Sequence, residues 1–166
     1  MRLALLLVAA CSNAANPATD AFVGIPDVAP DGTADAPPAL RILVVNELAP
    51  GETPDWFEIV NVTNAAVQLD QFVYVDIAGD FVKAKPFPAV TLAPGAYHAQ
   101  DVDDLISGFK LGSDEELWIY RASDQALSDG VDWAEGAAPA GTSFARVPDK
   151  TGNFVTGSQS KGAANP

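Results

Sequence analysis

Val44-Val-Asn-Glu-Leu-Ala-Pro-Gly-Glu-Thr-Pro-Asp-Trp-Phe-Glu-Ile-Val-Asn-Val-Thr63 holds two apolar runs separated by a Pro/Gly turn. Apolar runs of this length, bounded by turn residues, read as two strands of a hairpin. Both runs carry polar residues among apolar ones: Asn46, Glu47, Asp55, Glu58 and Asn61. Alternation places Phe57 and Ile59 on the face that packs into a core and puts Trp56, Glu58 and Val60 on a more exposed face. A glutamate flanked by Trp56 and Val60 needs a partner wherever it is covered, and Arg121 or Arg146 from another strand would supply one.

The same grammar continues to the end of the chain. Short apolar runs are expected at Arg41–Leu48, Trp56–Val62, Ala66–Leu69, Phe72–Ile77, Phe81–Lys85, Ala89–Leu92, Ala96–Gln100, Leu117–Arg121, Gly130–Trp133, Ser143–Val147 and Asn153–Val155. Gly, Pro and Asp punctuate them, and no long stretch carries a helical period; Asp101–Gly108 is the nearest, at most a turn or two of helix. Many short strands with frequent turns predict an antiparallel β-sandwich or barrel. Leu117 and Ile119 are expected to face the core, opposite Trp118 and Tyr120.

Composition limits what such a domain does. The chain of 166 residues carries a formal charge of -13. Nucleic acid binding needs a clustered basic surface, which is missing here. Residues 12–39 hold four acids (Asp20, Asp27, Asp31, Asp35) and no base. Anionic lipid would repel both this segment and the acidic remainder, so membrane attachment would have to be covalent or hydrophobic.

The start of the chain offers a covalent route. Met1-Arg-Leu-Ala-Leu-Leu-Leu-Val-Ala-Ala-Cys11 has a positive charge, an apolar stretch and small residues before the single cysteine. The apolar stretch, about nine residues, is far short of a membrane span. Val8-Ala-Ala-Cys11 resembles the lipobox of bacterial lipoproteins, which implies that residues 1–10 are a signal peptide and that Cys11 is lipidated. Several acyl chains suffice for stable anchoring. Residues 11–40 are rich in Ala, Pro and Asp and cannot bury enough apolar surface to fold, so they are expected to be a disordered linker with a reach on the order of 30 Å. The folded domain is expected over residues 41–166.

Across that domain, Asn46-Glu47, Asp55-Trp-Phe-Glu58-Ile-Val-Asn61, Leu92-Ala-Pro-Gly95, Gly108-Phe-Lys-Leu111, Glu116-Leu-Trp-Ile119, Val131-Asp-Trp133, Ser143-Phe-Ala-Arg146-Val-Pro-Asp149 and Gly162-Ala-Ala-Asn165 follow one another in an order that resembles the bacterial form of the lamin tail domain. The resemblance implies an immunoglobulin-like β-sandwich and an accessory, non-catalytic role. It also marks Asn46, Glu47, Asp55, Glu58, Asn61 and Arg146 as signature residues that serve the fold. Two positions depart from the pattern. Lys161 replaces a usual proline, which would leave the carboxyl-terminal segment less rigid, and Lys150 replaces a turn glycine, which would put a lysine at positive φ at a cost of about 1 kcal/mol.

His98 is the only histidine and has no nucleophile-elbow sequence to serve. Zinc is disfavoured for the same lack of ligands, and no cofactor is implied. Asp101, Asp103 and Asp104, with Ser113-Asp-Glu-Glu116, offer hard oxygen ligands to calcium but do not match the usual loop signature. Glu47 and Glu58 form a conceivable acid/base pair for hydrolysis; the alternative is that Asn46, Glu47, Glu58 and Asn61 satisfy backbone groups and bind arginines. Asn61-Val-Thr63 is a glycosylation sequon without weight in a bacterial lipoprotein. The expected protein is an envelope lipoprotein, anchored to a membrane, the outer one by preference, with its domain on the periplasmic or extracellular side. Its partner would be a protein or an envelope polymer.

Overall fold

The computed structural model describes residues 40–166 except Ile106. The signal peptide, the Cys11 lipidation site and the linker lie outside the described residues.

Eleven strands follow in order: β1 Leu43–Ala49, β2 Asp55–Asn61, β3 Val67–Gln68, β4 Phe72–Val75, β5 Lys85–Pro86, β6 Thr91–Leu92, β7 Tyr97–Val102, β8 Glu115–Arg121, β9 Ala126–Trp133, β10 Ser143–Val147 and β11 Asn153–Gly157. A 3₁₀ turn, Leu69–Gln71, precedes β4. One sheet has the order β11-β10-β1-β2-β7 and the other β5-β4-β8-β9, with β3 and β6 paired apart from both. Every pairing is antiparallel. The result is the all-β sandwich expected from the sequence.

The core lies between the two large sheets. Phe57 and Ile59 of β2 meet Leu117 and Ile119 of β8 there, together with Tyr74, Phe87 and Phe109. The aromatic rings pack edge to face, Phe57 on Tyr74 at 5.1 Å and Tyr74 on Phe109 at 5.0 Å between centroids, the arrangement that ring quadrupoles favour. The alternation expected for β2 and β8 is therefore realised.

β1 departs from strict alternation. Val45 pairs with Ile59, but Glu47 pairs with Glu58, so Asn46 is one extra residue on β1. The bulge reverses the parity: Leu43 and Val45 face the core before it, and Leu48 faces the core after it. Its consequence is that Glu47 and Glu58 sit directly opposite one another on the outer face of the five-stranded sheet.

Two local expectations need correction. Phe81–Lys85 is not a strand: residues 76–84 form turns that fold over the outer face of β8, where Phe81 packs on Tyr120 at 4.9 Å and the Gly79 N–H donates to the Tyr120 hydroxyl. Only Lys85–Pro86 pairs with β4. Asp101–Gly108 contains no helix among its described residues; Asp101 and Val102 complete β7 and turns follow.

Candidate functional site

The outer face of β1 and β2 is not exposed. Glu47 and Glu58 are both 0% accessible, as are Val44 and Val60 beside them. The cover is the carboxyl-terminal segment, residues 158–166, which turns back from β11 across this face. It is built of small and polar residues and meets the sheet through hydrogen bonds from Ser160, Gly162 and Asn165.

Each carboxylate is held at both oxygens. Glu47 Oε1 accepts from the Ser143 hydroxyl at 2.5 Å and the Ser160 N–H at 2.9 Å, and Oε2 accepts from the Ser160 hydroxyl at 2.9 Å. Glu58 Oε1 accepts from Asn46 Nδ2 at 3.0 Å, and Oε2 accepts from the Gly162 N–H at 2.6 Å. Burial pushes the Glu58 carboxyl up to about 7; the Asn46 and Gly162 donors pull it down, while the charges of Glu47 and Asp149 add to the rise.

Asn46, the bulge residue, ties this pair to the next turn. Its Nδ2 also donates to Asp149 Oδ1 at 3.0 Å, and its Oδ1 accepts from the Lys150 N–H at 2.9 Å. Asp149 takes two further bonds, from the Tyr97 hydroxyl at 2.6 Å and the Asn165 N–H at 3.1 Å. Burial opposes ionisation of Asp149, but the donors Tyr97, Asn165 and Asn46 outweigh it and hold this carboxyl below its ordinary value. Lys150 does adopt positive φ, at 67°. Its ammonium lies 4.6 Å from the centre of the Tyr97 ring and 3.7 Å from Asp149 Oδ2, contacts that offset the backbone strain.

Asn165 completes the closure. Its Nδ2 donates to the backbone carbonyls of Asn46 and Arg146, both at 3.0 Å, and its Oδ1 lies 2.7 Å from the Ser160 hydroxyl, whose one proton it shares with Glu47 Oε2. Lys161 is pinned as well, by an ion pair with Asp101 at 2.5 Å and by the Trp56 ring at 5.2 Å.

The expected arginine partners are corrected here. Arg121 pairs with Asp124 in the β8–β9 turn at 2.6 Å. Arg146 faces inward, where its Nε donates to the Val45 carbonyl at 2.8 Å and one terminal nitrogen reaches Asp129 Oδ2 at 3.2 Å. Its guanidinium stacks over Phe154 at 4.5 Å. β10 pairs with β1 only at Glu47 and Leu48, and Arg146 fills the gap where the two strands separate. Asp129 and Ser128 of β9 enter the same gap, accepting from the N–H groups of Val45 and Leu43 at 2.8 and 2.9 Å, and so join the two sheets. Glu58 is thus partnered by an amide side chain and a backbone N–H, and its face is buried, not exposed.

The remaining signature residues hold loops. Asn61 donates to the carbonyls of Ala65 and Leu92 at 2.8 and 2.9 Å and accepts from the Thr63 hydroxyl at 2.8 Å. Asp55 accepts from the Leu111 N–H at 3.3 Å, and burial raises its carboxyl. Sequence reasoning missed Asp149, Ser160 and Asn165 as members of the network; the signal was the place of Asp149 and Asn165 in the motifs that carry the family resemblance, and Ser160 lies outside those motifs.

The acidic loops are arranged differently. Asp101 is paired with Lys161, and Asp103 accepts from the Leu105 N–H at 2.6 Å. Among the described residues, no group of three or more His, Cys, Asp or Glu is placed to hold a metal ion. His98 lies on β7, its Nε2 3.4 Å from Gln100 Oε1. Comparisons with protein families, with curated proteins and with solved structures find no match to this chain.

Proposed function

We propose that the chain is a lipid-anchored lipoprotein of a bacterial cell envelope, whose β-sandwich, resembling a lamin tail domain, is a non-catalytic binding or structural module. The leader ending in Cys11 and the acidic, proline-rich segment after it support the anchor and the spacer. The observation that carries the module reading is the closure of Glu47 and Glu58 under residues 158–166. Both are inaccessible, and their oxygens are engaged by Ser143, Ser160, Asn46 and Gly162. A general acid or base needs to reach the proton it transfers, and this pair reaches only the chain that covers it.

Two experiments test the two halves. Cys11→Ala should move the protein from the membrane to the soluble fraction and abolish incorporation of labelled fatty acid; unchanged partition would overturn the anchor. Cross-linking in intact cells should give discrete adducts on the sandwich. No adduct, together with a hydrolytic activity lost in Glu47→Gln, would overturn the module.

A further inference from the structure

Residues 158–166 reach the sheet without an apolar anchor. None of them belongs to the hydrophobic core, and only Asn165 is buried. Their attachment runs instead to carboxylates: the Ser160 N–H and hydroxyl meet Glu47, the Gly162 N–H donates to Glu58 and the Asn165 N–H donates to Asp149. A segment held this way belongs to the low-stability end of a domain and can open while the core stays folded.

One hydroxyl in this closure is short of a proton. Asn165 Nδ2 donates to two backbone carbonyls, which only accept, so its amide oxygen is the atom that faces Ser160. The Ser160 hydroxyl then lies 2.7 Å from Asn165 Oδ1 and 2.9 Å from Glu47 Oε2, with one proton for two acceptors. With both glutamates ionised, one of these contacts sets lone pair against lone pair. A proton on Glu47 Oε2 gives every contact a donor: the carboxylic O–H donates to Ser160 and Ser160 donates to Asn165, while Oε1 still accepts from Ser143 and the Ser160 N–H.

The surroundings favour such a proton. Glu47 and Glu58 face each other across β1 and β2, and no cation among the described residues comes within 4.0 Å of either. The charged groups nearby are engaged elsewhere. Lys161 pairs with Asp101 of β7, Lys150 lies by Asp149 in the turn after β10, Tyr97 of β7 donates to Asp149, and Arg146 points inward to Asp129. Burial, then the charges of Glu47 and Asp149, push the Glu58 carboxyl up to about 7. Facing carboxyls titrate as a pair, so the proton belongs to both.

We propose that residues 158–166 form a proton-operated latch: closing them over β1 and β2 takes up one proton, shared by Glu47 and Glu58, and losing that proton opens the segment while the sandwich stays folded. The donors of Ser160 and Gly162 also stabilise an ionised carboxylate, but desolvation and the second carboxylate outweigh them. The closed pair holds its proton more tightly than the open pair, so closure is strongest on the acid side and weakens as pH rises toward about 7.

Amide hydrogen exchange of the full chain, read by NMR from pH 5 to 8 and corrected for intrinsic rates, follows the latch at the N–H groups of Ser160, Gly162 and Asn165. Their opening constant should rise at least about tenfold over this range, within the limit of about tenfold per pH unit that one proton sets. It should respond little to added urea, whereas the buried amides of Val45 and Ile59 should exchange more slowly and with the full urea dependence of global unfolding. In a Glu47→Gln, Glu58→Gln variant two amides stand in for the protonated pair, one of them offering an N–H where Ser160 needs a donor. Its opening constant should be flat with pH and below that of wild type at pH 8. A flat constant in wild type, or the same rise in the variant, would overturn the proton. Exchange of the three amides at the rate and urea dependence of Val45 and Ile59 would overturn the separate opening.

Discussion

Glu58 makes the stability of this domain depend on pH in a direction opposite to most surface carboxylates. Its carboxyl is raised from 4.5 to about 7, first by burial and then by Glu47 and Asp149. In the unfolded chain it titrates near the ordinary value, so between the two values the folded state holds a proton that the unfolded state has lost. Linkage then gives stability that is fully present below about pH 4.5 and is lost as pH rises through about 7. The gap corresponds to about 3 kcal/mol at most. Urea denaturation at pH 4.5, 6 and 8 measures it. Asp55 and Asp132, also raised by burial, contribute in the same direction, so the quantity to follow is the difference between wild type and Glu58→Gln. The variant removes the titrating group at nearly constant shape. Its stability relative to wild type should rise by up to about 3 kcal/mol between pH 4.5 and 8. A difference that stays constant across this range would refute the assignment of the raised pKa to Glu58.

The other predictions concern the same closure and its neighbours. Asn165→Ala removes three side-chain hydrogen bonds and strands the Asn46 and Arg146 carbonyls; it should cost about 2–3 kcal/mol by denaturation. Arg146→Ala leaves Asp129 buried beside a gap between β1 and β10 and should cost about 3–5 kcal/mol, which Arg146→Lys should not restore because a single ammonium cannot reproduce the fork. Gly130→Ala would place a Cβ 2.1 Å from the Trp118 ring, so the ring must move; a loss of about 1–3 kcal/mol and a changed tryptophan fluorescence spectrum are expected. Calcium at millimolar concentration should leave the melting temperature unchanged, since Asp101 is already paired with Lys161; a rise would show binding to the folded state.

The sequence made some of this arrangement readable and hid the rest for physical reasons. Phe57, Ile59, Leu117 and Ile119 alternate with residues of different character, and a period of two assigns them to the core directly. Lys150 stands where a turn needs positive φ, and the structure has it there. The bulge at Asn46 was not legible, because Val44 and Val45 are both apolar and either parity satisfies the pattern. The burial of Glu58 was hidden more deeply. Ser158-Gln-Ser-Lys-Gly-Ala-Ala-Asn165 has the composition of a solvated tail, and its burial follows from hydrogen bonds that composition does not reveal.

The bulge and the tail depend on each other. Without the extra residue at Asn46, Glu47 would turn toward the apolar core, where its charge would be desolvated, and the tail would lose the acceptors for its Ser160 N–H and hydroxyl. With the bulge, two carboxylates share one covered face, which costs desolvation and mutual repulsion. The donors of Ser143, Ser160, Gly162 and Asn46 offset that cost only when residues 158–166 are in place. The acidic pair is therefore what specifies where the carboxyl-terminal segment docks, and the segment is what allows the pair to be buried. Deleting the segment while keeping both glutamates should, above about pH 7, destabilise the domain less than deleting it in a Glu47→Gln, Glu58→Gln background, because exposure to water relieves the burial that raises the Glu58 carboxyl, a relief that neutral amides do not gain. A double-mutant cycle measures the difference, and strict additivity would show that tail and carboxylates act independently.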